Sequence, residues 1–200
     1  MEAPTPRPTM YILAGPNGAG KSTLYEYVIK PIIKAPFINA DNIQKEEMHD
    51  TSMQAAYEAA SIAEQRRQTF LANKQSFVSE STFSHPSKLK LIDDAIHAGF
   101  RIILYHVNVH HSDLSVARVA QRVKEGGHNV PEDKIRERYS RNQVLIKKAV
   151  LKADKAFIYD NSSLNKPMTM IMVFSHGVIE KLSGNIPTWA SALYLQAPLT

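Results

Sequence analysis

Residues 15–22 are the part of this sequence best suited to do chemistry. They read Gly15-Pro16-Asn17-Gly18-Ala19-Gly20-Lys21-Ser22 and satisfy the pattern GxxxxGK[ST] at every position. Glycines at this spacing let successive backbone N–H groups close around phosphate oxygens. Lys21 then brings positive charge to the β- and γ-phosphates of ATP, and the Ser22 hydroxyl is suited to ligate Mg²⁺. Such a loop works only between a strand and a helix, whose N-terminal dipole adds to the grip. Both are expected here. Met10–Ala14 is an apolar run that ends at Gly15, and residues 20–30 read as the helix that follows. Gly15 through Thr23 is therefore the candidate nucleotide-binding segment.

Phosphoryl transfer to a hydroxyl also needs a carboxylate to accept or orient the acceptor proton. In an open α/β sheet, ligands sit beyond the carboxyl ends of the strands. Two acids fall at such places. Asp41 follows Phe37-Ile38-Asn39-Ala40, and Glu80 follows Phe77-Val78-Ser79. Asp41 is the candidate base, with an N-cap for the helix from Asn42 as its competing role. Glu80, with Ser81, Thr82 and Ser84 beside it, suits the binding of a polar substrate.

Other users of the same loop are excluded by what is missing around it. An ABC-type ATPase needs LSGGQ ahead of a strand ending Asp-Glu, but Leu182-Ser183-Gly184 is followed by Asn185, and Asp160 by Asn161. A GTPase needs NKxD for guanine, whereas Asn165-Lys166-Pro167 is followed by Met168.

Arg118 and Arg122 are four residues apart and share a face of a helix expected over 112–124. Arg138 lies on the next helix, expected over 131–152. Between them Gly126-Gly127-His128-Asn129-Val130-Pro131 gives a flexible reversal and a proline restart. Residues of about 118–141 thus read as a lid carrying guanidinium groups that fit the oxygens of a transferring phosphate. The competing reading pairs these arginines with Glu125, Glu132 or Glu137 on solvated faces. His128 is a candidate ligand contact. His110-His111 reads as a structural pair, and the eight histidines show no metal-ligand spacing.

The elements that must position these groups alternate, which is the pattern of a parallel α/β sheet. Further strands are expected at 36–40, 76–79, 101–109 and 156–160, and helices at 52–73 and 86–98. In the first of those helices Met53, Ala56, Tyr57, Ala60 and Ala63 recur at helical spacing. Segments 168–174 and 177–181 suit a terminal hairpin, and 187–195 a last short helix. The expectation is a five-stranded parallel sheet flanked by helices in one domain over 9–200, with a flexible Pro-rich tail at 1–8.

Composition agrees with a globular protein. Of 200 residues, 44% are hydrophobic and 22% charged, and there is no cysteine, which removes disulfides and thiolate metal sites. No apolar run approaches the roughly 20 residues that span a bilayer, and the N-terminus lacks the apolar core of a signal peptide. A cytoplasmic protein without membrane contact is expected. The net charge of +5 suits a phosphate-bearing small ligand. Nucleic acid is the less favoured partner, because neither a lysine tract nor clustered aromatics are present.

With these motifs in order, the chain resembles the zeta-toxin family of P-loop kinases, in particular its short bacterial members. The matching stretches are GPNGAGKST, FINAD at 37–41, SESTFS at 79–84, RVAQRVKEGGHNVP at 118–131, IRERY at 135–139 and YDNSS at 159–163. The resemblance implies a P-loop kinase fold with a mobile lid. It implies ATP-dependent phosphorylation of the amino-sugar 3′-hydroxyl of UDP-N-acetylglucosamine by the toxin of a toxin–antitoxin pair, with an antitoxin protein as partner. In this resemblance Lys21 and Ser22 handle ATP·Mg²⁺, Asp41 is the catalytic base, and Glu80 holds the sugar. Arg118 or Arg122, with Arg138, clamp the phosphate. The residues alone leave two alternatives: a polynucleotide or nucleoside kinase, and a non-enzymatic module that holds a partner in response to ATP.

Overall fold

The computed structural model describes residues 6–50, 52–127 and 129–196. Five strands run parallel in the order β2 (Phe37–Ile38), β3 (Phe77–Ser81), β1 (Thr9–Ala14), β4 (Arg101–Asn108) and β5 (Lys155–Asp160). Strands β1 and β4 are mostly apolar because both of their faces are buried. Met10, Ile12, Ala14, Ile102, Leu104, Ala156 and Ile158 enter one core. Alternate residues Leu13, Tyr105 and Val107 enter a second core on the opposite face, with Phe157 packed against it.

The sheet is wider than expected. The terminal hairpin forms as β6 (Thr169–Ser175) and β7 (Val178–Leu182), and β6 pairs antiparallel along β5 from Lys155↔Ser175 to Asp160↔Thr169. The sheet therefore has seven strands and is mixed, not five-stranded and parallel. The physical reason is the outer edge of β5, whose backbone groups would otherwise be left unpaired.

Helices fill the faces. Short α1 (Lys21–Leu24) runs on as a π-helical turn to Ile29, and α2 (Ala40–Asn42) likewise to Met48. Then come α3 (Met53–Ala72), α4 (Ser87–His97), α5 (Ser112–Lys124) and α6 (Glu132–Lys152). Last is α7 (Thr188–Ala190), continued as a π-helical turn to Leu195. Ser52 caps α3 by accepting from the Ala55 N–H at 3.1 Å. A ring nitrogen of His111 caps α5 from the Asp113 N–H, a structural role for one of the paired histidines.

The Pro-rich tail was expected to be loose through residue 8, yet its described part is tied down. Arg7 donates to the carbonyls of Gly99 at 2.8 Å and Phe100 at 2.7 Å, and pairs with Asp154 at 3.2 Å. Among the described residues, no helix is long and apolar enough to cross a membrane.

Candidate active site

The phosphate loop leaves the end of β1, beside the point where strand order reverses. Gly15 has φ +151°, and a Cβ there would lie 2.0 Å from the Val107 carbonyl oxygen of β4, so only glycine lets the loop start so close to its neighbour. Lys21 folds back into the loop and donates to the carbonyls of Gly15 and Pro16, each at 3.0 Å. Its ammonium is also 3.7 Å from Glu80, an ion pair too long for a hydrogen bond. Burial pulls the Lys21 ammonium below the ordinary lysine value, against the attraction of Glu80 and then Asp41. Burial likewise pushes the Glu80 carboxyl up, against the charge of Lys21. Each member of the pair is therefore held in a state that an incoming charged or hydroxyl-bearing ligand can relieve.

One cavity of about 760 Å³ opens over this pair. Its phosphate arm is lined by Asn17, Gly18, Gly20, Lys21, Ser22 and Thr23, together with Arg118, Arg122 and Arg138. Gly15, Pro16 and Ala19 are buried beneath it and contribute backbone only. Arg118 packs on the loop itself and donates to the Gly18 carbonyl at 3.5 Å, and Arg122 and Arg138 line the same cavity. The glutamates of the competing reading bond to other side chains. Glu132 binds Arg136, Glu137 binds Lys134 and Arg141, and Glu125 accepts from Gln121. Gly127 packs on the stem of Arg122, where a Cβ would lie 2.6 Å from Cγ. His128 lies outside the described residues.

At the centre stand the two acids. Asp41 is exposed and lines the cavity, and it is not the helix cap. That role belongs to Asn39, whose side-chain oxygen accepts from the N–H of Asp41 at 2.7 Å and of Asn42 at 3.3 Å. The same Asn39 donates its amide to Glu80 at 2.9 Å, so one residue orients the Glu80 carboxylate and holds the backbone that carries Asp41. Glu80 lies within β3, opposite Leu13 of β1, rather than past the strand end as the sequence suggested. Ser81, Thr82 and Ser84 follow along the wall. Between them Phe83 is buried with φ +58°, a left-handed turn that lets its flanking hydroxyls face the opening.

The acceptor arm of the cavity was not foreseen. Met53, Ala56, Tyr57 and Ala60 line it from α3. The helix instead buries Ala55, Ala59, Ala63, Arg67 and Leu71. Tyr57 and Met53 stay 69% and 66% exposed, so two large apolar side chains are presented to whatever enters. Arg67, Lys88 and Lys134 also line the cavity. Arg67 is held by Ser79 at 2.9 Å and Glu64 at 2.7 Å. An arginine one turn beyond the alanine series 55, 59, 63 was the signal available in the sequence.

A phosphate loop at the end of the central strand, a cavity roofed by arginines and two carboxylates at its middle are the features of the P-loop kinase fold. The zeta toxin family model matches residues 2–166, and the chain belongs to that family. An uncharacterized protein of Haemophilus influenzae is 30% identical over 130 residues, which is 62% of this chain and 88% of that protein. The AvrRxo1-ORF1:AvrRxo1-ORF2 structures share the fold. The one with sulphate ions has a TM-score of 0.66 at 15% identity over 97% of this chain. The one with ATP has 0.63 at 14% over 87%. This chain spans 66% and 60% of those chains, less than two thirds of their length. The PezAT toxin–antitoxin system of Streptococcus pneumoniae gives 0.60 at 17% identity, over 80% of this chain and 70% of that one.

Proposed function

We propose that this chain binds ATP·Mg²⁺ in the phosphate arm and moves the γ-phosphoryl group onto a hydroxyl of a small acceptor in the other arm. The best candidate acceptor is the nucleotide sugar UDP-N-acetylglucosamine. The observation that carries the reading is the continuity of one cavity from Lys21 past Asp41 and Glu80 to Tyr57. ATP as donor is supported by the phosphate loop and by the ATP present in a structure of the same fold.

Asp41 accepts the proton of the acceptor hydroxyl as its oxygen bonds to the γ-phosphorus. The bond from that phosphorus to the β–γ bridging oxygen breaks, and ADP leaves with the electron pair. Glu80, oriented by Asn39, holds the acceptor hydroxyl beside Asp41. Lys21 exchanges its loop carbonyls for phosphate oxygens, and Arg118, Arg122 and Arg138 spread their charge over the transferring group. The residues fit Mg²⁺, which takes few protein ligands and completes its shell from phosphates and water. The exposed Ser22 hydroxyl would hold the ion from the protein side. The metal supplies charge neutralisation between the β- and γ-phosphates.

The acceptor arm favours a base-bearing acceptor over a bare sugar. Tyr57 and Met53 offer an apolar platform, and Lys88 and Arg67, both paired with Glu64, add polar groups to its wall. The toxin role, with an antitoxin partner in the cytoplasm, rests on family membership and on likeness to the PezAT system. Incubation with ATP·Mg²⁺ and a panel of nucleotide sugars, sugar phosphates, nucleosides and oligonucleotides, read by mass spectrometry, tests the acceptor. A phosphorylated nucleotide sugar is expected. Phosphorylation of oligonucleotide ends alone would replace this reading. Expression in a bacterium should arrest growth, and Asp41→Asn should relieve the arrest.

A further inference from the structure

The terminal hairpin and α7 lie beyond the residues that match the zeta toxin model, yet α7 reaches back to the end of β5. The Trp189 indole N–H donates to Asp160 Oδ1 at 2.8 Å, and the Ser162 hydroxyl donates to the same oxygen at 2.5 Å. Asp160 ends β5. The next residue, Asn161, is pinned by its backbone N–H to the Asn108 carbonyl at 2.8 Å. Its side-chain amide donates to the carbonyl of Ala19 at 2.8 Å. From behind, the His106 ring meets Trp189 edge-on at 5.6 Å, and its Nδ1 lies 2.7 Å from the Tyr194 hydroxyl. The C-terminal segment is thus attached at two points to the strand ends that flank the loop.

The bond to Ala19 matters because a trans peptide points its carbonyl and its N–H in opposite directions. Asn161 holds the Ala19 carbonyl, so it also directs the Gly20 N–H of the same peptide. Gly20 has φ +98°, and a Cβ there would lie 2.5 Å from Asn161 Nδ2, so loop and asparagine are fitted to each other. A phosphate loop binds through such N–H groups, and an unaligned one loses its charge-assisted bond.

We propose that Trp189, Asp160 and Asn161 form a latch through which the C-terminal segment sets the Ala19–Gly20 peptide for phosphate binding. Trp189 is then a positioning residue for the nucleotide, acting through Asp160 and Asn161. The inference rests on the reading of the loop as a nucleotide site.

The test is calorimetric titration of the full chain with a non-hydrolysable ATP analogue and Mg²⁺, together with KM values for ATP and for the acceptor. Trp189→Phe keeps an aromatic ring near His106 and removes the N–H together with part of the ring volume, so its melting temperature is recorded alongside. It should weaken nucleotide binding roughly tenfold, the worth of one hydrogen bond to a charged group, and raise KM for ATP alike while KM for the acceptor stays the same. Asn161→Ala should do the same. The double variant should be no worse than Asn161→Ala alone, because both act on one peptide. Additive losses, or a parallel rise in both KM values, would overturn the latch. So would unchanged nucleotide affinity in Trp189→Phe. If the wild type binds no ATP analogue, the nucleotide reading itself fails along with the latch.

Discussion

The two arms of the cavity are built on different principles. The phosphate arm is one continuous stretch of backbone, Gly15 to Thr23, braced by β4, by Asn161 and by its own lysine. The acceptor arm is assembled from side chains on α3, β3, the turn after it and α4, while the lid arginines stand over the phosphate side. Backbone suits a ligand that never changes. Side chains can be exchanged without disturbing the fold, so the acceptor arm is where a family of kinases on one scaffold would vary its substrate. The contrast predicts that damage to the phosphate side abolishes transfer, whereas damage to the acceptor side changes what is transferred to, and how tightly it is held.

The lid should give the largest effect. Arg138→Ala, and at least one of Arg118→Ala and Arg122→Ala, should cut turnover at saturating ATP by roughly 10³–10⁵, with little change in melting temperature. Lysine should rescue poorly, because it keeps the charge but loses the planar fork. Full activity in all three alanine variants would leave the lid without a part in transfer.

Next come the acids between the arms. Asp41→Asn should lower turnover by roughly 10²–10⁴ with acceptor affinity little altered. Since Asn39 is the helix cap, the variant should melt like the wild type. Glu80→Gln should mainly raise KM for the acceptor. An active Asp41→Asn enzyme would move the base elsewhere.

On the acceptor side, Tyr57→Ala should raise KM for a base-bearing acceptor by roughly 5- to 100-fold, the usual worth of an aromatic platform under one base. Tyr57→Phe should restore it, and KM for ATP should not move. Equal effects on both KM values would mean that Tyr57 supports the cavity and does not select its occupant.

A separate effect, on stability and not on transfer, concerns the buried imidazole behind the phosphate arm. Burial first, and the Lys21 charge second, bring His106 down to about 3 from an ordinary 6.5. Below the ordinary value the unfolded ring takes up a proton that the folded one refuses. Stability present above pH 6.5 is therefore lost as the pH falls toward 3. His106→Gln should flatten that loss relative to the wild type. Chemical denaturation across this range reads the difference, and parallel curves would show that His106 is not held neutral.

What the sequence disclosed follows the same division. The phosphate loop was legible because its residues are adjacent and backbone geometry demands glycine at fixed places. The parallel strands were legible because burial on both faces leaves apolar runs. Tyr57 and Met53 looked like core, since an apolar residue at helical spacing does not announce which face it takes. The buried face of α3 is mostly alanine, so size gave no contrast. Asn39 was hidden behind Asp41, a better-known capping residue two positions on, and only the Asn39–Glu80 bond reveals its double role. The hairpin was visible, but its pairing onto β5 depends on an open edge that no local pattern records.

The central claim is that the two arms serve one transfer. Its most direct test supplies ATP with ¹⁸O in the γ-phosphoryl group, together with Mg²⁺ and UDP-N-acetylglucosamine, and follows the label by mass spectrometry in the wild type and in Lys21→Met. The wild type should move the three labelled non-bridging oxygens intact onto the nucleotide sugar in proportion to the ADP formed, and Lys21→Met should move none. Label found only in inorganic phosphate, or ATP bound and left whole with the acceptor unchanged, would contradict the account.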